Sequence, residues 1–92
     1  MDPTTPIIYA VQTPKYNTVI ISTSDGYQYE TDLSVFKKVF CFPKNFVEWK
    51  NVFIDSDGLT LVWSSRFEVH VDQLLALATS KKTLSQENSA QL

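Results

Sequence analysis

The sequence predicts a single small α+β domain: two antiparallel β-meanders, or hairpins, with short helices after each. Alternating apolar and polar residues at 7–31 and again at 52–71 are typical of half-buried strands. Asp-Gly pairs at 25–26 and 57–58 mark tight turns inside these two stretches. After each meander the apolar spacing changes to three or four residues, which indicates a helix.

Length and composition set the domain limits. The chain has 92 residues, enough for one domain, and its 2 Trp, 4 Tyr and 6 Phe can fill a small core. Residues 1–6, with two prolines, are predicted to be a flexible lead-in. Residues 7–79 form the domain. Residues 80–92 are mostly polar, cannot bury enough surface to offset ordering entropy, and are predicted to be a disordered tail.

The first meander is predicted to contain strands at residues 7–13, 18–23 and 27–31. The four residues from Pro14 to Asn17 should form the first turn, since proline fixes its own φ and asparagine tolerates unusual backbone geometry. A three-residue loop that ends at Gly26 closes the second hairpin and sets Ile21 opposite Tyr29. A two-residue loop would set Ile21 opposite a glutamate, so the longer loop is favoured.

The second meander lies within residues 49–72, the part of the chain with the densest apolar alternation. A two-residue turn at 57–58 should pair Ile54 with Leu61. A three-residue loop then sets Trp63 opposite Phe67, so we expect the indole to point into the core.

Three short helices are predicted around the strands. Asp32 should cap a helix that runs to residue 40 and presents Leu33, Phe36 and Phe40 on one face. Pro43 should open a second helix, which carries Phe46 and Trp49. Asp72 should cap a third helix from Gln73 to Thr79. All three are too short to be stable without packing.

Charge and cysteine content narrow the classes of partner and compartment. The formal net charge is −2, and the 8 basic residues are spread along the chain, which argues against nucleic-acid binding by the chain alone. No leader and no long apolar run is visible, so no membrane partner is expected. A single cysteine cannot form an internal disulfide, and we expect a cytoplasmic protein.

Catalytic, metal and cofactor signals are weak. His70, the only histidine, shares a strand face with Glu68. It is either a catalytic group or part of a solvated polar stripe on that strand. Cys41 lies between two phenylalanines, which favours an ordinary buried thiol over a reactive one. We find no metal-ligand spacing, phosphate loop or nucleophile motif. The prediction is therefore no enzyme, no metal and no cofactor, and a small hydrolase using His70 is the least favoured alternative.

The aromatic residues suggest a binding surface instead. Tyrosine, tryptophan and arginine are enriched where proteins contact one another. The candidate partner-binding residues are Tyr9, Tyr16, Tyr27, Tyr29, Arg66 and His70. The alternative is that the tyrosines line the core and leave their hydroxyls at its rim. Exposed strand edges also allow a homodimer.

Several turns and caps resemble a known family. They are Asp25-Gly26, Asp32-Leu33-Ser34, Phe46 and Trp49 before Val52-Phe53-Ile54-Asp55, Gly58-Leu59-Thr60-Leu61-Val62-Trp63, and Val71-Asp72-Gln73-Leu74. In these motifs, over roughly residues 7–78, the chain resembles the small bacterial domain-of-unknown-function family DUF2442. The resemblance implies an α+β fold in a family with no established activity or catalytic residues, and a gene often found beside another small gene in suspected toxin–antitoxin pairs.

These observations together predict a non-enzymatic cytosolic protein-binding module, an antitoxin-like partner of a neighbouring small protein. The alternative is a nucleic-acid-binding regulator, acting alone or in complex with that partner.

Overall fold

A computed structural model describes residues 5–39 and 41–83, which form two antiparallel sheets around one core. The elements in chain order are β1 (Ile8–Lys15), β2 (Thr18–Thr23), β3 (Tyr27–Asp32), a 3₁₀ turn (Ser34–Phe36), α1 (Phe46–Trp49), β4 (Phe53–Ile54), β5 (Thr60–Ser64), β6 (Phe67–His70), α2 (Val71–Ala76) and β7 (Ala78–Thr83). One sheet has the order β1-β2-β3-β7 and the other β4-β5-β6. A small, mostly antiparallel domain with minor helices agrees with the predicted α+β class. No helix in the described ranges has the length and apolar character needed to cross a membrane.

The first meander has the predicted pairing between its second and third strands. Ile21 lies opposite Tyr29, and the turn before β3 contains Gly26 at φ 88°. The first turn is shorter than predicted, because β1 continues to Lys15 and contains Pro14. Proline has no N–H to donate and is tolerated in an edge strand, which β1 is. Asn17, at φ 77°, supplies the left-handed residue of the turn.

The first two strands of the second meander also pair in the predicted register, but the turn between them is built differently. Ile54 pairs with Leu61, as expected. The backbone N–H of Gly58 donates to the carbonyl of Asp55, and the N–H of Asp55 donates to the carbonyl of Thr60. Gly58, at φ 72°, is the left-handed residue of this turn, whereas a two-residue type I′ turn needs two in succession. The chain therefore reverses through a wider loop at the same register.

The predicted pairing at the tip of the β5–β6 hairpin is wrong. Leu61 pairs with Val69 as expected, but Ser64, not Trp63, lies opposite Phe67. Trp63 is the additional residue of a β-bulge, so the loop shortens to two residues, Ser65 and Arg66. The last residue of a three-residue loop usually adopts a left-handed conformation, and Arg66 avoids it here. The indole nevertheless packs inward, with its ring centroid 5.2 Å from that of Phe67.

The predicted helix over residues 32–40 is corrected to a 3₁₀ turn followed by further turns. The N–H groups of Phe36 and Val39 donate three residues back, to Leu33 and to Phe36, rather than four. The β-branched and aromatic residues here favour an α-helix only weakly. Asp32 still accepts the backbone N–H of Ser34 at 2.8 Å, and this hydrogen bond holds the pKa of its carboxyl below the usual value. Phe40 lies outside the described residues.

The second helix begins later than predicted. α1 starts after Asn45, whose side-chain oxygen accepts the backbone N–H of Glu48 at 2.9 Å, so asparagine and not Pro43 begins it. Trp49 is fully buried, whereas Phe46 is 38% exposed. The two aromatic residues that this helix was predicted to carry are therefore divided between core and surface.

The third predicted helix ends early, and a strand replaces the start of the predicted tail. α2 ends at Ala76, and β7 then pairs with β3, with Tyr29 opposite Lys81. Most of β7 is exposed, so backbone hydrogen bonds to β3, rather than side-chain burial, hold it in place. Residues 80–83 of the predicted tail belong to this strand. The rest of that tail, 84–92, and most of the predicted lead-in, 1–4, lie outside the described residues.

One core joins the two sheets. Its buried apolar members are Ile8, Val19, Ile21, Tyr29, Leu33, Phe42, Trp49, Leu61, Phe67, Val69, Val71 and Leu74. Trp49 is central to it: its ring centroid lies 4.7 Å from that of Trp63. The indole N–H of Trp49 donates to the carbonyl of Thr18 in β2, and that of Trp63 donates to the carbonyl of Trp49, both at 2.9 Å. These two bonds tie the three-stranded sheet to the four-stranded one.

Candidate functional site

The chain between the two sheets carries apolar side chains on its inner and on its outer side. We call residues 33–51 the crossover segment. Its inward side chains, Leu33, Phe36, Phe42 and Trp49, are in the core or pack against it. Its large exposed apolar side chains are Val35 at 63% exposure, Val39 at 42%, Phe46 at 38% and Val47 at 67%, and exposed lysines lie between them in the chain. Four large exposed apolar groups in one short segment are characteristic of a surface that contacts another molecule.

A cleft opens beside this segment. It has a volume of about 240 Å³ and lies between the crossover segment and the end of β5. Its lining residues are Cys41, Pro43, Glu48, Asn51, Trp63 and Ser64. Ligand and cofactor pockets usually occupy about 300–1,000 Å³. This cleft is smaller than that range and has the size for one side chain of a partner.

Glu48 is the charged residue in the lining of the cleft. One of its carboxylate oxygens, Oε1, accepts the backbone N–H of Lys44 at 2.9 Å, which fixes the side chain in a capping arrangement at the start of α1. The ammonium group of Lys50, two residues further on, lies over the ring of Phe46, 5.3 Å from its centroid. Within the described ranges, a basic and an acidic side chain approach within 4 Å at one place, where His70 meets Asp72. Glu48 therefore has no cationic partner in those ranges.

Cys41 is half-buried in the wall of the cleft. The ammonium group of Lys37, one of the nearby lysines that could activate a thiol, lies over the ring of Tyr16 at 5.6 Å from the centroid. Cys41 thus contributes wall surface beside Pro43, and the geometry gives it no further partner in the described residues.

Two of the six predicted partner-binding residues lie near the cleft. The hydroxyl of Tyr16 donates to the carbonyl of Pro43, and its ring packs edge-on against Trp49, with centroids 6.0 Å apart. Tyr16 therefore supports the crossover segment from its core side. Arg66 is exposed in the β5–β6 loop, two residues beyond Ser64 in the cleft wall.

Tyr27 and Tyr29 lie together elsewhere, where β3 meets β7. Tyr29 is buried, and its hydroxyl donates to a carboxylate oxygen of Asp25 at 3.1 Å. Burial, with the hydrogen bond and negative charge of Asp25 next, raises the pKa of Tyr29 to about 12. The ammonium group of Lys81 on β7 lies 4.1 Å from the centroid of the Tyr27 ring. This pair therefore helps to hold β7 on the sheet.

The other two predicted residues are also apart from the cleft. Tyr9 is 60% exposed on β1, at the edge of the four-stranded sheet. His70 begins α2, and here the prediction that Asp72 caps this helix is wrong. The imidazole Nδ1 of His70 accepts the backbone N–H of Asp72 at 3.2 Å. The side-chain oxygen of Gln73 in turn accepts the backbone N–H of His70 at 3.1 Å. This reciprocal capping gives His70 a structural role.

The capping role of His70 can be tested by substitution. His70→Ala removes the acceptor for the helix N–H group, and we expect a loss of about 1 kcal/mol in the free energy of unfolding. His70→Asn keeps a capping acceptor and should retain most of the stability. Urea unfolding at neutral pH measures both changes, with Glu68→Ala, an exposed position on the same strand face, as the control. Equal losses for His70→Ala and His70→Asn would contradict the capping role.

The cleft depends on residues that the sequence analysis did not select. Glu48, Asn51 and Ser64 carry no motif, and tertiary packing brings them together. The exposed valines did leave a signal, because Val35, Val39 and Val47 are apolar residues outside the faces assigned to the predicted helices.

The fold and the site define a small two-sheet α+β domain with an apolar crossover segment and a side-chain-sized cleft. No group of three or more His, Cys, Asp or Glu side chains in residues 5–39 and 41–83 is placed to hold a metal ion. Comparisons of the chain with protein-family models, curated proteins and solved structures find no match. The resemblance to DUF2442 stays a prediction.

Proposed function

We propose that this protein is a non-enzymatic binding module that contacts a partner protein through the outward side of its crossover segment. The observation that carries the proposal is the exposure of Val35, Val39, Phe46 and Val47 along that segment. Isolated exposed apolar residues are ordinary on a protein surface, whereas several close together in sequence and beside a cleft favour a contact surface.

The aromatic contacts beneath the segment support the same proposal. Phe42 and Trp49 anchor it from inside, with ring centroids 5.5 Å apart, and Phe36 packs edge-on against Phe67 at 6.0 Å. Side chains held by such contacts lose less conformational entropy when a partner binds, so more of their contact energy appears as affinity.

The partner that we propose is a small toxin-like protein encoded by the adjacent gene, which the protein would neutralise by binding. This part of the proposal comes from the resemblance to DUF2442. The edges of the four-stranded sheet favour a hetero-contact over strand pairing between copies: β7 carries Lys81 and Lys82, and β1 is interrupted by bulges and Pro14. Natural sheets use such charges, bulges and prolines to prevent edge pairing.

Co-expression with the product of the adjacent gene tests the proposal. We expect the two chains to elute together in size-exclusion chromatography at about micromolar concentration. Val47→Glu places a charge at the most exposed position of the surface and should weaken the complex about 10- to 100-fold. Phe53→Glu places the same charge at a position 55% exposed on β4, outside the crossover segment, so it is the matched control and should leave the complex unchanged.

Separate elution of the two wild-type chains, or equal weakening by both variants, would overturn the proposal. Retention of the chain on heparin at low salt, lost as salt is raised, would instead favour a nucleic-acid-binding regulator.

A further inference from the structure

We infer that the cleft binds an arginine side chain of the partner protein. This inference rests on the proposed function, since it names the chemistry that the partner must present to the crossover segment. It follows from the charge of the cleft, its size and the hydrogen-bonding groups in its wall.

The charge of the cleft is complementary to a cation. Glu48 is the charged residue in the lining, and the ammonium group of Lys50 lies over the ring of Phe46, which is outside the lining. Because Oε1 of Glu48 already accepts the backbone N–H of Lys44, the carboxylate is held in place before any ligand arrives. A fixed carboxylate binds a cation with little loss of side-chain entropy.

The walls are complementary to the stem of a long basic side chain. Pro43 and Trp63 provide apolar surface, and lysine and arginine bury their methylene groups along such surface while the charged head contacts a polar group. A volume of about 240 Å³ admits a stem of this kind but is smaller than the usual range for cofactor sites.

The remaining polar groups favour arginine over lysine. Asn51 and Ser64 line the cleft together with Glu48, and both side chains carry an acceptor oxygen. The Ser64 hydroxyl accepts the backbone N–H of Arg66 at 3.2 Å, and its second lone pair can accept a further donor. A guanidinium has five N–H donors in a planar fork and can bond a carboxylate and a neighbouring acceptor together, whereas an ammonium is a compact point charge. Arginine is also among the residues that contribute most strongly to protein interfaces.

The isolated protein can be titrated with N-acetyl-arginine amide and followed by NMR at the indole N–H of Trp63 and the backbone amide of Ser64. We expect a saturable shift with a Kd on the order of millimolar, as for a weak fragment-sized ligand. N-acetyl-citrulline amide has nearly the same shape without the charge, and it should produce no saturable shift at these two groups.

Two variants locate the binding. Glu48→Gln keeps an acceptor for the Lys44 N–H but removes the charge, and it should raise the Kd about tenfold. Ser64→Tyr, at an exposed strand position, should fill the mouth of the cleft and abolish the shift at the Trp63 indole. Glu68→Gln, an exposed carboxylate on β6 outside the cleft lining, is the matched control and should bind as the wild type does.

Equal binding of the citrulline derivative, or a Kd for Glu48→Gln within twofold of that for Glu68→Gln, would overturn the inference. Its failure is distinct from failure of the proposed function. A stable complex that Val47→Glu weakens, formed by a protein that shows no arginine binding, rejects the arginine anchor alone. If the complex does form, Glu48→Gln should weaken it too, and an unchanged complex would also count against the arginine anchor.

Discussion

Trp49→Ala is expected to remove about 3–5 kcal/mol from the free energy of unfolding, the usual cost of deleting a large buried aromatic side chain. The total free energy of unfolding of a small domain is roughly 5–15 kcal/mol, so the variant should be largely unfolded or close to unfolding at 37 °C. Three effects add: the ring is fully buried, it stacks on Trp63 at 4.7 Å, and its N–H satisfies the carbonyl of Thr18. Alanine leaves a cavity and an unpaired buried carbonyl in one step.

Guanidinium unfolding of Trp49→Ala, Trp49→Phe and Val47→Ala separates these contributions. Trp49→Phe keeps an aromatic ring but loses the indole N–H and part of the volume, so its loss should fall between those of the other two. Val47→Ala, on the same short helix but 67% exposed, should change stability by less than about 0.5 kcal/mol. A loss below about 1 kcal/mol for Trp49→Ala would contradict the role of this indole in joining the two sheets.

The strand registers were predictable because they depend on local chemistry. Glycine at a left-handed position and alternation of apolar residues fix the pairing of Ile21 with Tyr29 and of Ile54 with Leu61. The bulge at Trp63 was not predictable in this way, because shifting a residue into a bulge leaves the sequence pattern unchanged. Its inward packing depends on Trp49, which approaches from a different part of the chain.

The strand β7 and the 3₁₀ turn were missed for opposite reasons. β7 is a polar segment held by backbone hydrogen bonds to β3, and these are independent of side-chain hydrophobicity. The segment after Asp32 has helical spacing, but the chain must pass between two sheets there, and tertiary packing overrides a weak local preference.

The candidate site was predictable in residue type but not in position. Of the residues chosen by aromatic and arginine enrichment, Tyr16 and Arg66 contact residues of the cleft wall, since the Tyr16 hydroxyl donates to the carbonyl of Pro43 and the backbone N–H of Arg66 donates to the hydroxyl of Ser64. Tyr27 and Tyr29 fit the alternative that the tyrosines line the core, since they pack where β3 meets β7. Glu48 and Ser64 both line the cleft but are separated in the chain by β4 and the turn before β5, so no local pattern links them.

Gly58→Ala should destabilise the protein by about 2–5 kcal/mol, through two separate effects. Gly58 has φ 72°, where an L-amino acid other than glycine costs roughly 1–2 kcal/mol. A Cβ at this position would also lie 2.3 Å from the Cγ2 of Ile7, so the side chain or the turn has to move. Because isoleucine is β-branched and stiff at χ1, it cannot simply rotate away. A shift of the turn instead strains the bond from the N–H of Ile8 to the carbonyl of Gly58, which is 2.7 Å long and joins the two sheets.

Gly26→Ala isolates the backbone effect. Gly26 has φ 88°, but a Cβ there would meet nothing within 4 Å. Its loss, measured by urea unfolding, should be about 1–2 kcal/mol, and the excess for Gly58→Ala is then the cost of the clash. Adding Ile7→Ala to Gly58→Ala should recover most of that excess, as a coupling energy of about 0.5–3 kcal/mol in a double-mutant cycle. Ile7 is itself 42% exposed, so its truncation alone should cost little. Equal losses for the two glycine variants would show that the turn yields without strain and would contradict the predicted clash with Ile7.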